Sequence, residues 1–215
     1  MSIAGDYHAV VLAAGAGARF GGSKLTAPYE GGVLLDAVLR IACAAPVQSI
    51  LVVIGAHGEA VATAVATFAS GCEIPVRAVP CADHASGMSS SLGCGLRSLP
   101  HDAAGAFIFL GDMPRIPVMV PGKLLTAVRG GALAAIPLFE NQWGHPVLIT
   151  SALFDHFSRH GGDGGGREML RRLGDDLAVV EVDDHGILAD ADTPAKLSAL
   201  SGIAPATPCS MKHLI

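Results

Sequence analysis

Charge is scarce in this sequence: Asp, Glu, Lys and Arg make up 15% of its 215 residues, against 51% hydrophobic residues. The mean hydropathy of +0.49 is apolar for a soluble protein. Alanine supplies much of that value, and no uninterrupted apolar run approaches the roughly 20 residues that a membrane-spanning helix needs. A basic N-terminal region followed by an apolar core is also missing, so no secretory signal is read and a cytoplasmic location is expected. Basic excess is missing too. Lys and Arg number 14 against 19 acidic residues, and the net charge of −5 argues against nucleic acid as the main partner. The five cysteines (Cys43, Cys72, Cys81, Cys94, Cys209) are odd in number and lack paired metal-ligand spacing, so reduced structural thiols are expected. No internal repeat or dividing linker interrupts the chain, and its length suits one domain with a full core. That domain is drawn at residues 1–201, and residues 202–215 are expected to form a weakly ordered tail.

What the sequence does contain is concentrated at its start. Val10 to Ala13 is a short apolar run of the kind buried on both faces of a parallel sheet. The loop after it carries Gly15, Gly17, Gly21 and Gly22 among small alanines, with Arg19 and Lys24 as its only charges. A pliable loop of free N–H groups and two cations at the carboxyl end of a buried strand suits a polyphosphate. Two familiar phosphate motifs miss. A Walker loop from Gly17 to Gly22 would need lysine where Ser23 stands, and a dinucleotide fingerprint on Gly15, Gly17 and Gly21 is one residue too wide.

Downstream, apolar runs alternate with stretches of helical spacing. Strands are expected at Ile50–Ile54, Val76–Pro80, Ala106–Leu110, Leu133–Leu138 and Leu177–Val182. A further strand follows the turn at Trp143–Gly144–His145–Pro146. Helices are expected from Leu34 to Ala45, after Gly58 through Ala69, at the serine run Ser89–Ser91, after Gly166, and from Pro194. Asp112 stands at the carboxyl tip of its strand, between Gly111 and Met113–Pro114, where a carboxylate is well placed to hold Mg2+ against phosphates. Gly161 to Gly166 with Arg167 form a second glycine-rich helix entry, a second candidate anion site. The alternation implies a three-layer α/β/α, Rossmann-like domain with a mostly parallel central sheet and ligands at the strands' carboxyl ends.

These motifs together resemble a known family. Leu12–Ala13–Ala14–Gly15, three small residues, Arg19, an apolar residue, Gly21 and, three residues on, Lys24 match the signature of nucleotidyltransferases. Gly87–Met88–Ser89–Ser90–Ser91–Leu92, Gly111–Asp112–Met113–Pro114, Gly144–His145–Pro146–Val147, Gly162–Asp163 with Arg167, and Asp192–Thr193–Pro194 extend the match from about Val10 to Leu200. The chain is similar to the molybdenum cofactor cytidylyltransferase-like family. One departure stands out: Trp143 replaces the arginine common before the glycine of Gly–His–Pro–Val.

The resemblance implies transfer of CMP from CTP to molybdopterin-bound molybdenum, with release of pyrophosphate. It implies that Leu12, Ala13, Ala14, Gly15 and Gly17 cradle the nucleotide, while Gly87, Ser89 and Ser91 face the base or ribose. Arg19 and Lys24 would hold the triphosphate, and Asp112 and Asp192 would hold Mg2+, with Asp190 as the substitute for Asp192. His145, Asp163 and Arg167 would line the acceptor side. A molybdoenzyme that receives the product is a further expected partner. Another phosphorylated acceptor, or a non-catalytic chaperone for the cofactor, are the competing expectations; paired metal carboxylates disfavour pure binding.

Overall fold

The first apolar run becomes a seven-residue strand, β1 (Tyr7–Ala13), and its alternate side chains divide the interior in two. Ala9, Val11 and Ala13 enter one apolar cluster, whereas Val10 and Ala14 enter the other. That division is what a strand covered on both faces requires. The computed structural model describes residues 6–15, 17, 20, 22–159 and 165–201.

In chain order, β1 is followed by the hairpin β2 (Pro28–Tyr29) and β3 (Gly32–Val33), then α1 (Leu34–Ala44), β4 (Ile50–Ile54), α2 (Gly58–Ala69) and β5 (Val76–Pro80). Next come α3 (Met88–Arg97), β6 (Gly105–Leu110), α4 (Val120–Arg129), β7 (Ala134–Phe139), β8 (Gln142–Trp143) and β9 (Val147–Thr150). The described chain closes with α5 (Phe154–Arg159), α6 (Gly165–Arg172), β10 (Leu177–Glu181) and α7 (Pro194–Ser201). The main sheet runs β10-β7-β9-β6-β1-β4-β5, with β8 added to β7. Its β5-β4-β1-β6 half is parallel, as is the β10–β7 pair, and β9 runs antiparallel between β6 and β7. The expected mostly parallel, three-layer architecture is therefore present.

The two clusters show which helices cover which face. Leu34, Leu35 and Val38 of α1, Val61 and Val65 of α2, Leu124 of α4 and Leu197 of α7 pack with Ala9 and Val11. Leu96 of α3, Phe157 of α5, and Met169 and Leu170 of α6 pack with Val10. The chain leaves β1 for β4 on one side and for β6 on the other, so the carboxyl end of β1 lies at the point where strand order reverses. Open α/β sheets bind ligands in that crevice.

Candidate active site

The loop after β1 is held by its own backbone. Phe20 N–H donates to the Gly17 carbonyl at 2.8 Å, and Lys24 N–H donates to that of Gly22 at 2.9 Å. Gly17 has φ of +61°, and a Cβ there would lie 2.8 Å from the Gly22 oxygen, so this turn requires glycine. The chain then enters a short 3-10 turn, Lys24–Thr26, pinned by the buried Leu25. Lys24 thus leaves a fixed base. Arg19 and Gly21 lie outside the described residues.

On the neighbouring strand, Gly111 N–H donates to the Leu12 carbonyl at 2.9 Å, which carries the β6 tip past the end of β1 and presents Asp112. The third strand of chain comes from the far end of the sequence. Ala191 N–H donates to the Asp112 carbonyl at 2.9 Å, which places Asp192 beside Asp112. Thr193 Oγ1 accepts from Lys196 N–H and so caps α7, which leaves the Asp192 carboxylate for another task. Lys24 Nζ donates to Asp112 Oδ2 at 2.5 Å and to Asp192 Oδ1 at 3.2 Å. Burial acts to lower the Lys24 pKa, but Asp112 first and then Asp192 outweigh it and hold the ammonium above the usual lysine range. Asp190 pairs instead with Lys196.

Above these groups opens a cavity of about 400 Å³, lined by Leu12, Ala13, Ala14, Gly15, Gly17, Lys24 and Asp112 from the two strand ends. Gly87, Met88 and Ser91 close one side at the start of α3, joined by His84, Leu25 and Leu110. The volume is within the range of small-molecule sites, about 300–1,000 Å³. His84 was not apparent as a site residue from sequence, because a histidine five residues before the Ser89–Ser91 run carries no motif. Its place is set by Gly55: a Cβ there would lie 2.4 Å from His84 Cγ, so the ring rests directly on the backbone at the end of β4.

The remaining expected residues divide. Ser91 is buried and lines the cavity, whereas Ser89 is not among the lining residues. His145 stands outside the cavity lining, its Nδ1 3.4 Å from the Ile108 carbonyl. That contact puts the proton on Nδ1 and leaves Nε2 as an acceptor. Burial is the main reason its pKa falls to about 4; the Arg167 charge pushes the same way, against the Ile108 carbonyl and Asp112. Arg167 is exposed and donates to the Trp143 carbonyl at 3.0 Å, while Arg171 lies 5.4 Å from the Trp143 ring centroid. Asp163 and the tail 202–215 lie outside the described residues.

Two strand tips, a glycine cradle and a carboxylate pair bridged by lysine thus meet at a switch point, the place where open α/β sheets bind ligands. Residues 9–177 match the model of the MobA-like NTP transferase domain. The chain belongs to this family. The MobA-like chain is thereby a nucleotidyltransferase, a family that commonly uses divalent metals. It is 26% identical over 188 residues to the molybdenum cofactor cytidylyltransferase of Escherichia coli K12, covering 86% of this chain and 90% of that protein. It is 29% identical over 198 residues to the purine catabolism protein PucB of Bacillus subtilis 168, covering 86% and 91%. Among solved structures, Rv0371c of Mycobacterium tuberculosis H37Rv superposes with a TM-score of 0.77 at 24% identity, covering 92% of this chain and 98% of that one. Its manganese complex gives a TM-score of 0.74 at 23% identity, covering 91% and 98%. The structural likeness establishes the fold. No helix among the described residues is long and apolar enough to cross a membrane.

Proposed function

We propose that the protein is a molybdenum cofactor cytidylyltransferase: it transfers CMP from CTP to the terminal phosphate of a molybdopterin-type cofactor and releases pyrophosphate. The observation that carries the catalytic part is the convergence of Lys24, Asp112 and Asp192 beneath the glycine-lined cavity. The likeness to the Escherichia coli cytidylyltransferase supports the choice of CTP and acceptor.

The acceptor phosphate is already an anion, so no enzyme nucleophile is needed. One of its oxygens attacks the α-phosphorus in line, and the bond to the bridging oxygen of pyrophosphate breaks. The chain's work is positioning and charge neutralisation. Backbone N–H groups at Gly15 and Gly17 hold the triphosphate, with Arg19 and Lys24 supplying positive charge as pyrophosphate departs. Gly87 and Ser91 face the base and ribose, together with Ser89 of the same turn. On the acceptor side, neutral His145 offers Nε2 as an acceptor while Arg167 and Asp163 orient the incoming group. Asp112 and Asp192 fit a divalent cation, since their oxygens already share one positive charge, that of Lys24. Mg2+ bound there would neutralise charge on the α-phosphate.

A second acceptor class is kept open by PucB, which is as similar to this chain as the cytidylyltransferase is. In that reading the fold and nucleotide half stay and another phosphorylated small molecule attacks. The nucleotide half is tested by thermal shift. CTP with Mg2+ is expected to raise the melting temperature more than GTP does, because Ala14 and the serine run resemble the cytidylyl branch. Equal responses, or a larger one with GTP, would count against the cytidylyl assignment.

A further inference from the structure

We propose that Lys24 is a bolt across the metal site: its ammonium holds the space between Asp112 and Asp192, and the carboxylates open to a divalent cation only when a polyphosphate draws the lysine away. The inference rests on the reading of Asp112 and Asp192 as metal ligands.

Three observations carry it. First, Nζ bonds to one oxygen of each carboxylate, at 2.5 Å and 3.2 Å, so an ion bridging those oxygens would have to occupy the volume that the ammonium fills. Metal–oxygen distances of about 2.0–2.6 Å leave no room for both cations. Second, the bolt has somewhere to go. Lys24 lines the cavity as well as touching the carboxylates, and its flexible stem starts from a turn fixed by Leu25, so Nζ can move toward the glycine cradle without moving the backbone. Third, the site is shielded enough for the pair to matter: the Lys24 and Asp112 side chains are 14% and 19% exposed. Metal and nucleotide would consequently favour each other's binding, and linkage makes that preference reciprocal.

A nearby lysine provides the control. Lys196 is paired with Asp190, two residues from Asp192, but does not bridge the two carboxylates. Removing its charge alters the local field without clearing the space between Asp112 and Asp192. The test is equilibrium binding of Mn2+ alone, followed by the electron paramagnetic resonance signal of the free ion, on full-length protein whose melting is checked for each variant. Lys24→Met is expected to bind Mn2+ at least about tenfold more tightly than the wild type, and Lys196→Met less than about threefold. Adding Asp112→Asn to Lys24→Met should abolish the gain. No gain in Lys24→Met, or an equal gain in Lys196→Met, overturns the bolt. If the bolt fails while Asp112→Asn still weakens Mn2+ binding to wild-type protein in the presence of CTP, the carboxylate reading survives on its own. If Asp112→Asn changes Mn2+ binding in neither setting, the metal reading falls and the bolt falls with it.

Discussion

Lys24 and Arg167 show how differently two cations at glycine-rich loops can be held. Lys24 is fixed between two carboxylates at the cavity floor, whereas Arg167 is exposed and tied to the Trp143 carbonyl. A lost charge-assisted phosphate contact costs on the order of 1.5–3 kcal/mol, about one to two decades in the affected constant. Lys24→Ala is therefore expected to weaken CTP binding by that amount, and Arg167→Ala to leave CTP binding by the free protein nearly intact while weakening the acceptor. Equilibrium binding of each ligand separately checks this; loss of CTP binding in Arg167→Ala with Lys24→Ala spared would reverse the assignment. The sequence marks Lys24 as a cation of the glycine-rich loop after β1 and Asp112 by its place at a strand tip, and the family resemblance adds to both. It did not reveal that they touch, because a contact between residues on different strands has no periodic trace. His84 was illegible for a related reason, since it is placed by the absent side chain of Gly55 on another element.

Among the elements, α3 links the nucleotide side of the cavity to the sheet. Its Gly95 sits where a Cβ would be 2.5 Å from Val10 Cγ1 and 2.9 Å from Val53 Cγ2, so the helix rests against β1 and β4 through a missing side chain. Gly95→Ala is expected to destabilise the protein by about 1–3 kcal/mol, with overpacking outweighing the gain in helix propensity. A denaturant titration measures it, and a neutral or stabilising result would mean that α3 has slack against the sheet. The buried strands were legible as apolar runs, and α1 and α2 as helical spacing. Helix α4 was not, because Pro121 and Gly122 in its first turn are poor helix formers in isolation. Proline is tolerated there because the first-turn N–H groups have no partner inside the helix. The antiparallel setting of β9 was equally hidden: Val147–Thr150 is buried throughout, and an apolar run reads the same in either direction.

At the scale of the whole molecule, burial holds His8 and His145 neutral. Desolvation lowers the pKa of His8 and takes that of His145 down to about 4. Unfolding restores the ordinary value near 6.5, so between about pH 6.5 and 4 the unfolded chain binds protons that the folded chain refuses. Stability is therefore fully present above about pH 6.5 and falls as the pH drops through that window. His145 alone accounts for at most about 3 kcal/mol, less where its half-buried ring meets water. Denaturant unfolding at a series of pH values should show the decline shrink when His145 is replaced by Gln, and an unchanged slope would contradict the burial argument. The architecture was readable because α/β alternation and strand-end motifs are local signals, whereas Asp192 joins the site through long-range contacts, the Ala191–Asp112 backbone bond and the Lys24 ion pair, that leave no local pattern. The central claim, nucleotidyl transfer to a phosphorylated cofactor, is tested most directly by pyrophosphate release with Mg2+, a nucleoside triphosphate panel and a molybdopterin-type acceptor. Release is predicted only when acceptor is present and fastest with CTP. No release above the acceptor-free control with any of the nucleotides would contradict the account.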